Sequence, residues 1–248
     1  MIPIKYFVTL CFVFVALAVQ AQDQIISLTN NFDKIIVSPH IEATFVKGSE
    51  PSIRVEHIVV SKEKMLYEIS NGTLQVYLEG AKTVTKNKKE KRNGWKRKTP
   101  IYKNTIAKVV ITYVDVKIFS VRGEEKINFE SPLAQKKCTL RIYGSSEVAI
   151  KEAQLDELRV AIYGDSDLMI EGGTINKQRI TAYGSSNVRS GDVASNEAKI
   201  TAYGDGTFQF NVSDRLKVTS YGESNILYKG NPDIKKGIVI GESNITRL

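Results

Sequence analysis

Carboxylate side chains recur in the turns of a repeated motif in the carboxy-terminal half of the chain. They are Asp165, Asp167, Asp205, Glu223 and Glu242. Carboxylates brought together by stacked repeats can bind Ca²⁺, or can act as a catalytic pair on a polysaccharide. However, the same turns also carry Ser145, Ser185 and Asn187, and the Gly-Gly-x-Gly-x-Asp calcium repeat is absent. We therefore interpret the acidic side chains as solvated turn residues.

Histidine, on which catalytic metal sites and nucleophilic triads usually depend, occurs twice, as His40 and His57. Neither has a His-Glu-x-x-His spacing or a neighbouring cysteine, so both are interpreted as strand residues rather than ligands. The sequence has no phosphate-binding loop and no dinucleotide fingerprint. We therefore expect no catalytic residue, no metal site and no cofactor.

A tyrosine occupies the same position in five successive repeats. The five are Tyr143, Tyr163, Tyr183, Tyr203 and Tyr221. If the repeats stack in register, these rings form one outward-facing stripe, which has two interpretations. It either stabilises the stack, since cross-strand aromatic pairs contribute about 0.2–1 kcal/mol each, or it binds a ligand. As a binding surface it would be a platform for glycan rings or a docking face for another chain.

The positive charge of the chain is concentrated in one segment, from Lys82 to Lys103, which holds ten Lys or Arg and one acid, Glu90. Its net charge is +9, whereas the rest of the chain, without the amino-terminal Lys5, sums to −2. The segment is too highly charged to be buried and too long for a hairpin turn. We therefore predict that it is a mobile excursion from the solenoid that contributes little to the fold.

This basic segment is either a solvated loop or a contact for polyanions such as lipopolysaccharide phosphates, acidic glycans or anionic membrane lipids. The candidate contact residues are Lys88, Lys89, Lys91, Arg92, Lys96, Arg97 and Lys98, with Trp95 as an anchor. We expect no nucleic-acid partner, because the amino terminus predicts export.

The acidic turn residues and the tyrosines belong to an internal repeat with spacings of 18–21 residues. Its copies contain YGSSEV, YGDSDL, YGSSNV, YGDGTF, YGESNI and IGESNI, with glycines at Gly123, Gly144, Gly164, Gly184, Gly204, Gly222 and Gly241. The flanking residues are rich in Val, Ile, Thr and Tyr, which favour strands. The pattern predicts an all-β fold, a right-handed parallel β-helix or β-solenoid, with rungs about 4.8 Å apart.

Alternation along each strand assigns the two faces. The pairs predicted to point inward are Leu140/Ile142, Val160/Ile162, Ile180/Ala182, Ile200/Ala202, Val218/Ser220 and Ile238/Ile240. The residue between each pair, and the tyrosine that follows, are predicted to point outward. Cys138 shares the inward parity and is expected to be a buried small hydrophobe. A ladder of small side chains is expected at Ser146, Ser166, Ser186, Ser224 and Ser243, with Gly206 as the exception.

The chain before the regular repeats also favours strands, in the runs IIVSPHIEATFV, SIRVEHIVV, LYEISNGTLQVYLEG and IAKVVITYVDVKIFSV. Asn71-Gly72 predicts a hairpin turn. We expect residues 22–118, with the basic insertion 82–103, to form either the irregular start of the same solenoid or a small β cap on it. Residues 119–248 are expected to form the regular repeats.

The amino terminus has the layout of a secretory signal peptide, because Lys5 precedes an apolar run from Tyr6 to Val19 and the small-residue stretch ending at Ala21. We expect cleavage after Ala21, which assigns residues 1–21 to the signal peptide. The mature chain is then periplasmic, exposed on the outer membrane or secreted. Cys138 would be its single cysteine, so no internal disulfide is expected.

The opening FDKIIVSPHIEATFVKGSEPSIRVEH, the segment NGTLQVYLEG, the glycine-cornered repeats and YGESNILYKGNP together resemble the putative auto-transporter adhesin family, or head GIN domain. This is a domain of unknown function in exported proteins of Gram-negative bacteria. The resemblance covers about Phe32 to Leu248. It implies a right-handed β-helical fold and a cell-envelope or secreted location, and it implies no particular activity.

Two classes of function follow from these observations. We favour a non-enzymatic binding or adhesion module of the cell envelope, whose partner is a glycan, a surface polymer or an envelope protein. The alternative is a β-helical lyase or hydrolase acting on acidic polysaccharide. An enzyme would need convergent acid and base groups in a groove, and no such constellation stands out in the sequence.

Overall fold

A computed structural model describes residues 24–92 and 95–248, so the predicted signal peptide lies outside the described residues. The first elements are β1 (Gln24–Ser27), β2 (Lys34–Val37), β3 (Ile41–Lys47), β4 (Ser52–Ile58), a 3₁₀ turn (Lys62–Lys64), β5 (Met65–Ser70), β6 (Thr73–Leu78), β7 (Asn87–Arg92), β8 (Trp95–Pro100) and β9 (Ala107–Tyr113). The remaining strands are β10 (Ile118–Gly123), β11 (Lys126–Phe129), β12 (Leu133–Gly144), β13 (Glu147–Ile150), β14 (Ala153–Gly164), β15 (Asp167–Ile170), β16 (Gly173–Tyr183), β17 (Ser186–Tyr203), β18 (Gly206–Tyr221), β19 (Ser224–Lys229), β20 (Asp233–Ile240) and β21 (Asn244–Arg247).

The strands coil into a parallel solenoid in which each turn pairs with the turn before it, which confirms the predicted all-β solenoid. One column of strands runs β6, β2, β10, β12, β14, β16, β17, β18 and β20. A second column runs β9, β3, β11, β13, β15, β17, β18, β19 and β21. β17 and β18 are long enough to belong to both columns.

The amino-terminal part both begins this stack and covers its end. The outer edge of β6 pairs with the antiparallel strand β5, and the outer edge of β9 pairs with β4, which pairs in turn with β1. Asn71 and Gly72, with φ angles of 49° and 69°, form the predicted hairpin turn between β5 and β6. Both alternatives open from the sequence, a solenoid start and a β cap, are therefore present.

The corner of each regular turn needs glycine. At Gly164, φ is 127°, and a Cβ atom there would lie 2.1 Å from the carbonyl oxygen of Gly144. Serine completes the corner, because the Ser166 Oγ donates a hydrogen bond to that same carbonyl at 3.0 Å. Equivalent bonds occur at Ser146, Ser186, Ser224 and Ser243, with lengths of 2.8–3.2 Å, so the predicted serine ladder is confirmed. Gly206 is the exception because a Cβ there would lie 2.1 Å from the Ser186 carbonyl oxygen.

The predicted inward positions form one continuous core from the first turn to β18. All ten inward residues from Leu140 to Ser220 are buried, and Phe45, Phe119 and Phe129 pack together at the wider amino-terminal end. Cys138 is buried as expected, and burial raises the pKa of its thiol to about 12. Within the described ranges, no helix has the length and hydropathy needed to cross a bilayer.

The face assignment is wrong in the last turn. Ile238 and Ile240 were expected to point inward, but they are 56% and 60% exposed. Ile240 pairs with Tyr221 in the outward column, and Val239 pairs with Ser220 in the inward column. The physical reason is a register shift in β20, where one extra residue around Gly237 reverses the alternation after Lys236.

Candidate binding face

The five repeat tyrosines form one stack on the outside of the solenoid. Each pairs in register with the next, ring centroids are 4.7–5.0 Å apart, and the ring planes differ by 1–6°. The three central rings, Tyr163, Tyr183 and Tyr203, are 43%, 40% and 39% exposed. The predicted solvent-facing stripe and its mutual stacking are therefore both present.

Stacking determines which surfaces of the tyrosine rings are accessible to a ligand. The two faces of each central ring are covered by its neighbours, and the guanidinium of Arg122 lies over the ring of Tyr143 at 5.8 Å. A sugar ring therefore has no free face to stack upon at the three central positions, contrary to the glycan-platform interpretation in its simple form. What the column presents is a wall of ring edges and hydroxyl groups.

Beside the tyrosine wall, the sheet carries a column of small side chains. Ala161, Thr181 and Thr201 are paired in register and half-buried, and they lie two residues before the tyrosine of each turn. Because these side chains are short and the tyrosines are long, the surface between them and the next column is recessed. This recess, which we call the outer groove, runs along the stack.

A column of cations forms the other wall of the outer groove. Arg159, Arg179, Lys199 and Lys217 are register partners in successive strands, and all four are exposed. Arg141 pairs in register with Ala161 and is therefore the first residue of the Ala and Thr column. The groove has a volume of about 700 Å³ and is lined by Thr139, Arg141, Tyr143, Arg159, Ala161, Tyr163, Arg179, Thr181, Lys199 and Thr201, among others.

Two of the groove cations share one buried carboxylate. Glu157 Oε1 accepts a hydrogen bond from Arg159 Nε at 2.9 Å and lies 2.8 Å from Arg179 Nε. These guanidiniums, Arg159 foremost, lower the pKa of the Glu157 carboxyl, so it is ionised at neutral pH. In contrast, the side chains of Arg141, Lys199 and Lys217 form no ion pair or hydrogen bond with the part of the chain that the structure describes.

The basic segment, predicted to be a mobile excursion too long for a hairpin turn, contains a β-hairpin. β7 pairs with β8 from Asn87 opposite Pro100 to Arg92 opposite Trp95, as a separate two-stranded sheet. The sequence signal was Asn93-Gly94 between the two strands, a dipeptide typical of two-residue hairpin loops. The basic residues on both sides of this dipeptide are typical of a solvated loop, so they favour the opposite interpretation.

The hairpin register collects four lysines at positions on one face. In the backbone register, Lys89 is opposite Lys98 and Lys91 is opposite Lys96, whereas Lys88, Arg92, Trp95 and Arg97 occupy the alternate register positions. Like charges directly opposite in a ladder repel each other. Lys89 and Lys98 are both exposed, and an anionic partner would relieve the repulsion between them.

The ends of the basic segment are part of the fold, contrary to the expectation for residues 82–103 as a whole. The Lys82 carbonyl accepts hydrogen bonds from Ser38 Oγ at 2.6 Å and Gln75 Nε2 at 2.8 Å. Tyr102 is buried and donates a hydrogen bond to the Glu79 carbonyl at 3.0 Å. Only the paired part of the hairpin projects from the body.

The acidic corner residues hold turns together. Asp165 Oδ1 accepts a hydrogen bond from the Ser185 amide at 3.0 Å, and Asp205 Oδ1 accepts one from the Glu223 amide at 3.2 Å. Among residues 24–92 and 95–248, no three His, Cys, Asp or Glu side chains are grouped as metal ligands. These contacts agree with the interpretation of the acidic residues as turn residues.

The two histidines differ in setting. His57 lies in β4 and is exposed, as predicted for a strand residue. His40 does not lie in a strand, since it occupies the turn between β2 and β3 with a φ of 71°. Its ring is held by Asn104 and Thr85, which are far away in the sequence, so the sequence offered no signal for this arrangement.

Comparison with known proteins identifies the family. The sequence profile of the putative auto-transporter adhesin, head GIN domain, matches residues 31–232. The chain belongs to this family. Among curated proteins, none matches the sequence. The family description supports an exported or surface protein with a non-enzymatic binding role.

Solved structures of similar fold cover nearly the whole chain. A putative adhesin from Bacteroides fragilis is 20% identical with a TM-score of 0.70, and the match covers 91% of this chain and 97% of that one. A protein from Parabacteroides distasonis described as a putative lipid binding protein is 17% identical with a TM-score of 0.64, covering 92% and 98%. A putative adhesin from Parabacteroides merdae is 18% identical with a TM-score of 0.64, covering 91% and 95%. At these identities the similarity establishes the fold.

Proposed function

We propose that this protein is a non-enzymatic binding module of the cell envelope or cell surface, and that it holds an extended acidic glycan in the outer groove. The observation that carries the proposal is the register of three columns along one face. A wall of tyrosine edges, a floor of Ala and Thr, and a wall of Arg and Lys repeat together in successive turns.

The repeat of the groove suits a polymer with a repeating negative charge. Strands in the stack are about 4.8 Å apart, so a cation recurs at that interval along the cationic wall. Each contact between exposed charges is weak, but several made by one chain act together, since binding at one turn raises the effective concentration at the next. Tyrosine and threonine hydroxyls then supply hydrogen bonds to sugar hydroxyls.

The state of Glu157 argues against a role for this residue as the general acid of a hydrolase. A general acid needs a carboxyl that is protonated near neutral pH, usually through burial or a like-charged neighbour. Glu157 is instead held as a carboxylate by Arg159 and Arg179. Its contacts suit the positioning of two guanidiniums.

We assign a second, less specific role to the basic hairpin. Its four-lysine face lies on an element separate from the groove, and it would attract the protein to an anionic surface such as lipopolysaccharide or anionic lipid. The lipid-binding description of one structural neighbour is compatible with this role. Such attraction should weaken as salt rises, because screening limits its reach to about 8 Å at physiological ionic strength.

Binding of a polyuronate tests the proposal. The mature protein should bind polygalacturonate and should bind the fully methyl-esterified polymer at least tenfold more weakly, since esterification removes only the charge. Lys199→Glu with Lys217→Glu should reduce binding of the acid form. The matched control is Lys62→Glu with Lys64→Glu in the 3₁₀ turn, which makes the same change of charge at exposed positions outside the groove. Equal binding of acid and ester forms would contradict the proposal.

A further inference from the structure

A second concavity lies where the tyrosine wall meets the base of the hairpin. This cleft has a volume of about 1,010 Å³, and Tyr143 lines both the cleft and the outer groove. Its apolar walls include Pro39, Val84 and Tyr143. Its polar and charged lining includes His40, Lys103, Arg122, Glu124 and Glu125. A concave, largely apolar site with a few convergent polar groups is the usual form of a small-ligand site.

Glu125 has one carboxylate oxygen with a protein donor and one without. Its side chain is 6% exposed, and its Oε2 accepts a hydrogen bond from the Glu124 amide at 2.9 Å. The other oxygen, Oε1, lies 3.7 Å from His40 Nδ1, beyond hydrogen-bond distance, and no other described residue donates to it. Among the described residues, the only fully buried side-chain oxygen or nitrogen without a partner is Thr99 Oγ1. Glu125 Oε1 is therefore open to the cleft, where it can accept a hydrogen bond from a bound molecule.

His40 does not supply that donor. Its Nδ1 is committed to the Asn104 carbonyl at 2.8 Å, which leaves Nε2 to accept from the Thr85 hydroxyl at 2.6 Å. His40 and Asn104 both have positive φ, at 71° and 56°. Non-glycine residues held in this region concentrate at ligand-binding sites, and here both border the same cleft.

Arg122, which also lines the cleft, adds a site for a negative group. Its guanidinium lies 5.8 Å from the centre of the Tyr143 ring, and guanidiniums bind carboxylates through paired hydrogen bonds. Val84, 74% exposed at the rim, and Pro39 can contact an apolar ring face. A hydroxyl donor for Glu125, a carboxylate for Arg122 and an apolar ring face are the features of one acidic sugar.

We propose that this cleft is the subsite for the terminal acidic sugar of the glycan chain, and that Glu125 and Arg122 recognise it. This inference rests on the proposed function, because the outer groove would hold the rest of the same chain. A long polymer is held mainly by the groove through many contacts. A short oligomer depends on the cleft for most of its binding.

Trigalacturonate and long polygalacturonate are the two probes, titrated calorimetrically into the mature protein. Glu125→Gln should weaken trigalacturonate binding about tenfold or more, since it removes a hydrogen bond to an ionised group. Long-polymer affinity should change less than about threefold. Glu130→Gln, an exposed carboxylate outside the cleft, is the control and should change neither affinity.

Val84→Asp is a second test variant for the cleft, and it does not change a buried side chain. It sets a negative charge at the cleft rim and should weaken trigalacturonate binding to a similar extent, with the thermal midpoint unchanged. Trigalacturonate affinity within twofold of wild type in both variants would overturn the cleft proposal, as would polymer binding without any trimer binding. Failure of the wild type to bind either probe would instead contradict the groove function on which the cleft depends.

Discussion

The ring of Tyr183 lies parallel to the ring of Tyr203, with centroids 4.7 Å apart and planes that differ by 2°. This spacing matches the separation of adjacent strands in a sheet, so the rings follow the backbone register without adjustment. The stack therefore contributes to the stability of the solenoid and, at the same time, gives the outer groove a straight wall.

Replacement of Tyr183 by Thr should destabilise the fold moderately and leave its strand content intact. The change removes two ring contacts, each worth about 0.5–1.5 kcal/mol, while threonine still suits an exposed strand position. We expect the free energy of unfolding in urea to fall by about 1–3 kcal/mol. Tyr67→Thr is the control, because Tyr67 is similarly exposed at 43% and lies in β5, outside the stack. Equal losses in both variants would show that stacking contributes nothing.

Gly164→Ala should be far more damaging than Gly172→Ala. At Gly164 the backbone has a φ of 127° and a new methyl group would lie 2.1 Å from a backbone carbonyl oxygen, whereas at Gly172 no atom lies within 4 Å of the added Cβ. Backbone strain alone costs on the order of 1–3 kcal/mol, and the clash adds to it. Thermal unfolding of the two variants gives the comparison, and a Gly164→Ala protein as stable as Gly172→Ala would refute the corner geometry.

Ala182→Glu should unfold several turns, whereas Ala161→Glu should not. Ala182 is 1% exposed in the inward column, where an unpaired carboxylate costs about 3–5 kcal/mol. Ala161 is half-buried on the outward side, at the floor of the groove, where a glutamate side chain can reach solvent. Circular dichroism melting curves distinguish the two. The face assignment fails if Ala182→Glu melts within a degree or two of wild type.

Stability should decline in alkali between about pH 9 and pH 12. Burial raises the pKa of Tyr113 from 10.0 to about 12 and that of Cys138 from 9.0 to about 12. The folded state favours the neutral form of both groups. Their contribution to the free energy of unfolding is therefore complete below the pKa values of the unfolded state, and it is lost as the pH rises through the pKa values of the folded state. Urea midpoints measured from pH 8 to pH 12 should fall, and Tyr113→Phe should make the fall shallower. A Tyr113→Phe profile parallel to wild type would contradict this assignment.

The strong periodicity of the sequence explains why most of the fold could be predicted. Each repeat carries a glycine whose close approach to the next turn excludes a side chain, and this requirement fixes the register of everything around it. The outward tyrosines, the inward Ile162 and Cys138, and the serine ladder all follow from that register by alternation. The cationic wall could have been found in the same way, because Arg159, Arg179, Lys199 and Lys217 each lie five residues before a repeat glycine.

Features that break the period could not be predicted by the same reasoning. The extra residue near Gly237 reverses the faces in β20, and only the pairing of backbones reveals it. The basic hairpin lies outside the period, and the Asn93-Gly94 dipeptide between its two strands is the only turn signal in a segment dominated by charge. The cleft joins His40 to Glu125 across 85 residues of sequence. His40 lies before the repeats, whereas Glu125 lies two residues after Gly123, at the position that serine occupies after Gly144 and Gly164.

The most direct test of binding in the outer groove compares two variants, one that lacks cations of the groove and one that lacks cations of the basic hairpin. One variant replaces Arg141, Lys199 and Lys217 by Gln, and the other replaces Lys96, Arg97 and Lys98 by Gln, so that three charges are removed in each. The measurement is polygalacturonate affinity at low and at physiological ionic strength. We predict that the polygalacturonate affinity of the groove variant falls at least tenfold, which is about 1.4 kcal/mol, at both ionic strengths. The affinity of the hairpin variant should fall chiefly at low salt. A groove variant that retains wild-type affinity within twofold would contradict the proposed site.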